Sequence, residues 1–211
     1  MAEWLEWVRE HWLGLAAAVL ALGLGLAWLQ AGPVSQPPGV LVPEDPHQAE
    51  PASREPWTFR NHRITPLAAF DLRARVLSTE RYRFDRASQL SPVDLALGWG
   101  PMSDTRILEA FSIRQRDRWY FWRSARMPIP EAEVIAHSAN MHLIPATPAV
   151  AKRILAIRPG QVVELHGQLI RADGPDGWHW VSSLSRTDTG EGSCEVVWVE
   201  SARLADRAER M

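Results

Sequence analysis

The feature that most constrains this chain is an apolar stretch close to its N-terminus. Residues 12–29 read WLGLAAAVLALGLGLAWL and contain no charged residue and no proline. As an α-helix they would span about 27 Å, close to the roughly 30 Å hydrocarbon core of a bilayer. A segment in lipid must satisfy its own backbone hydrogen bonds, so a helix is expected there. We therefore predict a transmembrane helix over residues 12–30, with Trp12 and Trp28 near the two headgroup regions.

Two other interpretations of this stretch are weaker. A cleaved signal peptide needs a basic N-terminal region and small residues at the cleavage site, but Glu3, Glu6 and Glu10 precede the stretch and residues 29–31 read LQA. A buried core helix is disfavoured by eighteen consecutive residues without a charge and by the proline-rich segment that follows directly. An uncleaved membrane anchor fits best.

The flanking charges predict the orientation of the anchor. Arg9 lies before the stretch, and no Lys or Arg follows it until Arg54. Because basic residues near a span stay on the cytoplasmic side, residues 1–11 should be cytoplasmic and the C-terminal part exported. This describes a single-pass protein of the bacterial inner membrane with a periplasmic domain.

Small residues recur at every fourth position of the predicted helix. Ala17, Ala21 and Gly25 would allow a second helix to approach closely, which predicts a possible homo-oligomer. The alternative is an Ala- and Gly-rich apolar segment with no such role.

The remaining sequence divides by composition into three parts. Residues 31–56 contain seven prolines, which predicts a disordered, extended spacer. Residues 57–200 are long enough for one globular domain, and residues 201–211 form a charged tail. The formal net charge of −2 argues against nucleic acid as a partner, and the lone Cys194 excludes an internal disulfide.

The patterning of residues 57–200 predicts an α+β domain with a mainly antiparallel, partly barrel-like sheet and several short helices. Phe70, Leu72, Ala74 and Val76 alternate with polar residues, which is typical of a half-buried strand. Ser91 and Pro92 predict a short helix that stops at Gly98, and Asp94 and Asp104 are interpreted as helix-capping carboxylates rather than a catalytic pair. Further helices are predicted at 103–110, 131–136 and 147–157, and a hairpin at 111–122.

The last part of the domain predicts a three-stranded meander. Its strands are expected at 161–171, 178–184 and 193–200, with Gly167 marking a bulge or a close backbone approach. A meander preceded by a helix resembles part of a small barrel such as an OB-fold or an SH3-like barrel. That resemblance implies an architecture and no ligand.

A run of aromatic and arginine residues provides the candidate binding residues. Arginines interleaved with aromatic side chains can form a stacking platform for bases or sugars, although a core face beside a solvated arginine face explains the same pattern. The last hairpin adds polar residues that form either a site or a self-bonded turn. The binding candidates are Trp99, Trp119, Trp122, Arg118, Arg186 and Asp188.

Cys194 provides a candidate for catalysis. With His166 and His179 it partly resembles the cell-wall L,D-transpeptidases, in which a cysteine nucleophile follows conserved histidines. It departs from that family because no His-Gly precedes Cys194 and Val196 stands where the family has arginine. A buried, inert cysteine in a Val-rich strand is the competing interpretation.

His137 and His142 provide a candidate for metal binding. Their spacing is within the range of zinc-binding pairs, but no third ligand lies nearby in the sequence, so no metal or other cofactor is predicted.

Five segments resemble an uncharacterised family of bacterial membrane-anchored proteins: ITPLAAFDLRARVL, LSPVDLALGWGPMSD, RWYFW, HSANMHLIPA and SSLSRTDTGEGSCEVVWVE. The resemblance implies a fold unit and no activity. The sequence therefore predicts a non-catalytic binding or scaffold module at the cell envelope, with the bilayer and another envelope protein as partners. The alternative is an exported enzyme, either a Cys/His acyl-transfer enzyme or a metal-dependent hydrolase.

Overall fold

The computed structural model describes residues 11, 12, 14, 16, 17, 19, 20 and 32–205. The chain divides into two compact units, Met1–Pro33 and Val34–Met211. Trp12, Ala17 and the other described residues between 11 and 20 are helical and exposed. Most of the predicted span, with Ala21 and Gly25, lies outside the described residues. No helix in the described part of the chain is long and apolar enough to cross a membrane.

The second unit is rich in strands and has few helices. Its strands are β1 (His47–Ala49), β2 (Trp57–Phe59), β3 (His62–Arg81), β4 (Val93–Gly98), β5 (Phe111–Arg116), β6 (Trp119–Ser124), β7 (Ser138–Pro145), β8 (Val162–Asp173), β9 (His179–Val181) and β10 (Glu195–Leu204). Its α-helices are α1 (Thr105–Leu108), α2 (Glu131–Ala136) and α3 (Pro148–Leu155).

Five of the strands close into a barrel in the order β3, β4, β7, β10, β8 and back to β3. Strands β7 and β10 are parallel, and the other four pairs are antiparallel. Closure leaves no free edge among these five strands, so their backbone groups are paired on both sides. Strand β2 pairs with the first residues of β3, β1 pairs with residues 69–71 of β3, and β9 pairs with β8.

Strand β3 is the longest strand, and one of its faces contributes side chains to the barrel core. The predicted alternation is confirmed, because Phe70, Leu72, Ala74 and Val76 are each 3% exposed or less and belong to the main core. The same core contains Val150 and Ile154 of α3, a helix that begins where the Thr147 hydroxyl accepts a hydrogen bond from the Val150 N–H. Helix α3 thus packs on the core, and its chain position lies between β7 and β8.

The proline-rich segment differs from the prediction of a disordered spacer over residues 31–56. The Val34 N–H donates to the Pro159 carbonyl, and the N–H groups of Leu41 and Val42 donate to the Ser103 hydroxyl. Leu41 and Val42 are buried in the core, and β1 pairs with β3. Proline density prevents a helix, but it does not prevent an extended chain from burying apolar side chains. The folded unit therefore begins at Val34 rather than at residue 57.

The predicted helix after Ser91 is wrong, because residues 93–98 form the barrel strand β4. All six residues of β4 are buried. A continuous apolar run fits a strand covered on both faces as well as it fits a short helix, and here the tertiary structure decides. Asp94 accordingly caps no helix, whereas Asp104 does cap α1 by accepting from the Arg106 N–H.

The predicted three-stranded meander is also wrong in its strand order. Strand β10 pairs with β7 and β8 rather than with β9, and the short β9 pairs with residues 171–173 of β8, beyond the part that β10 contacts. Strand β10 continues to Leu204 and so includes the first four residues of the predicted tail. The close approach at Gly167 is present, because a Cβ there would lie 1.9 Å from the Trp198 carbonyl oxygen.

The hairpin predicted at 111–122 is confirmed as β5 and β6. Its two-residue turn consists of Asp117 and Arg118, which both have positive φ. This backbone conformation matches the twist of two antiparallel strands and is favoured in short hairpin turns. The hairpin occupies the connection between β4 and β7. The side chains alternate between an inner, half-buried face and an exposed outer face.

Candidate ligand-binding cleft

A cleft of about 220 Å³ lies where the hairpin, β7 and the loop before β10 meet. The hairpin provides aromatic side chains, β7 provides small and amide side chains, and the loop provides charged and hydroxyl groups. The lining residues are Trp119, Tyr120, Trp122, Ile135, Ser138, Ala139, Asn140, Ser185, Arg186, Asp188, Thr189, Gly190, Ser193, Cys194 and Glu195.

Arg118 fixes the tip of the hairpin on the barrel. Its guanidinium donates to the carboxylates of Asp85 and Asp94 at 2.7 Å each and to the Ser91 carbonyl oxygen at 2.9 Å. It also stacks over the Tyr82 ring, 3.7 Å from the ring centroid. Since Asp94 is fully buried in β4, this contact holds one wall of the cleft in place.

In this anchoring network, burial and the contacts between charged groups shift the pKa values of Arg118 and Asp85 in opposite directions. Burial alone would lower the pKa of Arg118, but its contacts with Asp85 and Asp94 outweigh burial and raise the pKa. For Asp85, burial raises the pKa, but the hydrogen bonds and charge of Arg118 lower it overall. His142 lies on the other side of Asp94, with its Nδ1 2.9 Å from Oδ2. The network therefore holds Arg118 between a buried carboxylate, Asp94, and an exposed one, Asp85.

Asn140 connects the hairpin to the floor of the cleft. Its Oδ1 accepts from the Gln115 side chain at 2.6 Å, and its Nδ2 donates to the Arg118 carbonyl oxygen at 3.0 Å. Nearby, the Tyr120 hydroxyl donates to the Ser138 hydroxyl at 3.1 Å. Burial raises the pKa of Tyr120 to about 12, so this hydroxyl stays protonated. The floor is thus a set of neutral hydrogen-bonding groups.

Arg186 and Glu195 form the charged wall of the cleft. A guanidinium nitrogen of Arg186 lies 3.0 Å from Oε1 of Glu195, which is 1% exposed. Burial raises the pKa of Glu195 to about 8, because the loss of hydration outweighs the opposing attraction of Arg186. Oε2 of Glu195 and two guanidinium nitrogens of Arg186 have no hydrogen-bond partner among the described residues. Buried polar atoms without hydrogen-bond partners are costly to the folded state.

Cys194 lines the cleft, but its surroundings do not activate it. Burial raises the pKa of the thiol to about 11, whereas a nucleophilic cysteine needs a lowered pKa. Its only hydrogen-bond partner among the described residues is the Asn140 amide, at 3.8 Å. His166 lies against Asp71, and His179 lies against the Gly177 carbonyl oxygen. Neither histidine lines the cleft, so the three catalytic candidates are not brought together.

His137 and His142 do not converge on a common site. His137 contacts Glu133 and lies 4.0 Å from Asp45, whereas His142 faces the buried Asp94 and the ring of Trp180. Within the described part of the chain, no group of three or more His, Cys, Asp or Glu residues could hold a metal ion.

The structure gathers four of the six binding candidates. Trp119, Trp122, Arg186 and Asp188 line the cleft, whereas Trp99 is buried in the barrel core and Arg118 anchors the hairpin. Sequence reasoning missed Asn140 as a lining residue. Asn140 and Glu195 become neighbours only through the parallel pairing of β7 with β10, for which the sequence carries no local signal.

Comparison of the chain with protein-family models, with curated proteins and with solved structures finds no match.

Proposed function

We propose that this chain is a single-pass protein of the bacterial inner membrane whose exported domain is a non-catalytic binding module. The apolar stretch at 12–29 and Arg9 support the anchor and its orientation. The cleft beside the hairpin supports the binding role, because ligand sites combine apolar or aromatic walls with a few convergent polar groups.

The strand order of the barrel supports a binding module of the OB-fold type. In an OB-fold, the third strand is parallel to the fifth, and a helix connects the third strand to the fourth. Here the third barrel strand, β7, is parallel to the fifth, β10, and α3 connects β7 to the fourth strand, β8. OB-folds bind oligonucleotides and oligosaccharides on the face of the second and third strands, beside the loop between the fourth and fifth. The cleft occupies this position, against β7 and the loop after β9.

The chemistry of the cleft favours a saccharide. Trp119 and Trp122 offer flat apolar faces for the C–H side of a sugar ring. Beside them, Asp188 and Arg186 provide planar charged groups of a type that can form two hydrogen bonds, which suits vicinal hydroxyls. The volume of about 220 Å³ is below the usual range for a whole drug-sized ligand. The cleft therefore fits one ring of a longer glycan.

The convergence of Trp119 and Trp122 with Arg186 and Asp188 on one cleft is the observation that carries this proposal. Titration of the purified full-length protein in detergent with chitotetraose and maltotetraose tests it, with tryptophan fluorescence as the readout. We expect saturable binding of at least one sugar. Absence of binding by both at millimolar concentration would reject the saccharide proposal.

A matched pair of variants locates the binding. Asp188→Ala removes a carboxylate from the cleft, and Asp176→Ala removes an equally exposed carboxylate from another turn. We expect a loss of affinity of about tenfold in Asp188→Ala, since one hydrogen bond is worth about 1 kcal/mol or more. Asp176→Ala should bind as the parent does. Equal behaviour of the two variants would place the ligand elsewhere.

A C-terminal alkaline phosphatase fusion tests the location of the domain. The enzyme is active only after export, so we expect an active fusion. An inactive phosphatase fusion together with an active cytoplasmic reporter at the same position would reverse the proposed topology.

A further inference from the structure

The outer face of the hairpin is a second surface, separate from the floor of the cleft. It consists of the exposed side chains of β5 and β6: Ser112, Arg114, Arg116, Trp119, Phe121 and Arg123. In the strand pairing, Arg114 lies opposite Phe121, and Ser112 lies opposite Arg123. Basic and aromatic side chains therefore share one side of a two-stranded ribbon.

This face is strongly basic and has aromatic side chains in solvent. Three of its six side chains are arginines and none is acidic, whereas the whole chain has a net charge of −2. Arg114 and Arg123 form no ion pair with any described residue, and Arg116 pairs only with the exposed Asp117 of the turn. Phe121 is 48% exposed and Trp119 is 40% exposed. Exposed aromatics between unpaired arginines indicate an interaction surface.

The basic residues also frame a groove. A depression of about 500 Å³ on this face is lined by Ser112, Arg114, Gln115, Arg116, Phe121, Trp122 and Arg123. Its charged lining is entirely positive, so the chemistry that complements it is anionic.

The tether between the predicted anchor and the domain is short. The Val34 N–H is bonded to the Pro159 carbonyl oxygen, so only four residues, 30–33, lie between position 29 and the folded unit. The five Cα-to-Cα steps from position 29 to Val34 reach at most about 18 Å. If residues 12–29 span the bilayer, the domain therefore stays close to the headgroups.

The root of the hairpin lies beside the place where the tether joins the domain. The Thr105 hydroxyl, at the start of α1, donates to the carbonyl oxygens of Gln36 and Pro37. Helix α1 ends three residues before β5 begins at Phe111. A lipid surface near Val34 is therefore within reach of the hairpin.

We propose that the outer face of the hairpin binds the anionic phospholipid surface of the membrane in which the chain is anchored. Arginines attract anionic headgroups near the membrane surface, and aromatic rings favour the headgroup region. The inference depends on the proposed anchor. It is independent of the saccharide cleft, which is tested in detergent without a bilayer.

A fluorescent reporter on the outer face tests this proposal. In a Cys194→Ser background, Ser112→Cys carries an environment-sensitive nitrobenzoxadiazole label, and the full-length protein is reconstituted into nanodiscs. We expect the emission to shift to shorter wavelength in nanodiscs containing phosphatidylglycerol relative to phosphatidylcholine alone. A label at Ser201→Cys, on the exposed side of β10, should not shift.

Charge reversal separates a specific face from general attraction. Arg114→Glu with Arg123→Glu should abolish the shift, whereas the same charge change at Arg83 and Lys152, both exposed elsewhere, should preserve it. Near-ultraviolet circular dichroism checks that both variants are folded.

Three results would overturn the proposal. The first is equal emission in the two kinds of nanodisc, and the second is a shift that survives reversal of Arg114 and Arg123. The third is a shift produced in detergent by a single-stranded oligonucleotide but not by phosphatidylglycerol, which would assign the face to nucleic acid. Carbonate extraction of native membranes separately establishes whether the anchor itself is present.

Discussion

Arg118→Met removes the guanidinium that fastens the hairpin to the barrel, and its cost can be estimated from the contacts of that side chain. The Arg118 side chain is only 14% exposed, and its partner Asp94 is fully buried. Removing one member of a buried pair costs about 3–5 kcal/mol, because the other charge is left without compensation. For a domain of this size the urea dependence is about 2 kcal/mol per molar, so the unfolding midpoint should fall by roughly 1.5–2.5 M.

Arg116→Met is the matched control, because it removes the same charge two positions away. Arg116 and its partner Asp117 are each 80% exposed, and exposed pairs contribute less than about 1 kcal/mol. Urea unfolding of the full-length protein in detergent, followed by near-ultraviolet circular dichroism, measures both variants. A second substitution, Asp94→Asn, completes a double-mutant cycle in which the combined cost should be less than the sum. Equal midpoints for Arg118→Met and Arg116→Met would refute the reasoning.

Four further predictions concern the core and the cleft. Leu41→Ala should lower the free energy of unfolding by about 2–5 kcal/mol, because Leu41 is buried in the core. Val40→Ala, at a half-exposed position, is the control and should change the free energy of unfolding by less than about 0.5 kcal/mol in the same urea assay. Gly167→Ala should be destabilising, since its Cβ would overlap the Trp198 carbonyl oxygen; an unchanged thermal midpoint would count against this packing. In the folded protein, burial raises the pKa of Glu195 from 4.5 to about 8. The folded protein therefore binds the Glu195 proton more tightly than the unfolded chain does, and the free energy of unfolding should fall as the pH rises between these two values. Glu195→Gln should remove this part of the pH dependence of the urea midpoint, and an unaltered profile would show that Glu195 titrates normally. The Cys194 thiol, with its pKa raised to about 11 by burial, should react slowly with iodoacetamide at neutral pH and much faster in urea; rapid labelling of the native protein would restore the case for a catalytic thiol.

Local patterns were sufficient for the parts of the fold that depend on neighbouring residues. The alternation from Phe70 to Val76 predicts a half-buried strand, and Thr147 with Pro148 predicts the start of α3. The hairpin predicted at 111–122 also follows from its own sequence.

Long-range pairing explains what the sequence could not predict. Residues 93–98 are apolar except for Asp94, so they fit a helix or a buried strand, and only the neighbours β3 and β7 decide for the strand. Leu41 and Val42 lie in a proline-rich segment whose composition indicates a linker, yet they enter a core formed by distant strands.

The same limit applies to the cleft. Trp119, Trp122, Arg186 and Asp188 could be selected by residue type, because aromatic and planar polar side chains are common in binding sites. Their convergence could not be predicted, since it requires the hairpin to fold over β7 and the loop before β10 to meet it. Trp99 shows the risk of selection by type alone, because an equally attractive tryptophan is buried in the core.

The indole N–H resonances of the tryptophans provide the most direct test of the proposed cleft. In ¹H–¹⁵N spectra of the full-length protein, addition of chitotetraose or maltotetraose should shift the signals of Trp119 and Trp122. The signal of Trp198 should not change, because Trp198 packs against Trp57 and Phe59 away from the cleft lining. Shifts confined to Trp198 and its neighbours, or no shift with either sugar at millimolar concentration, would contradict the assignment of the cleft as the ligand site.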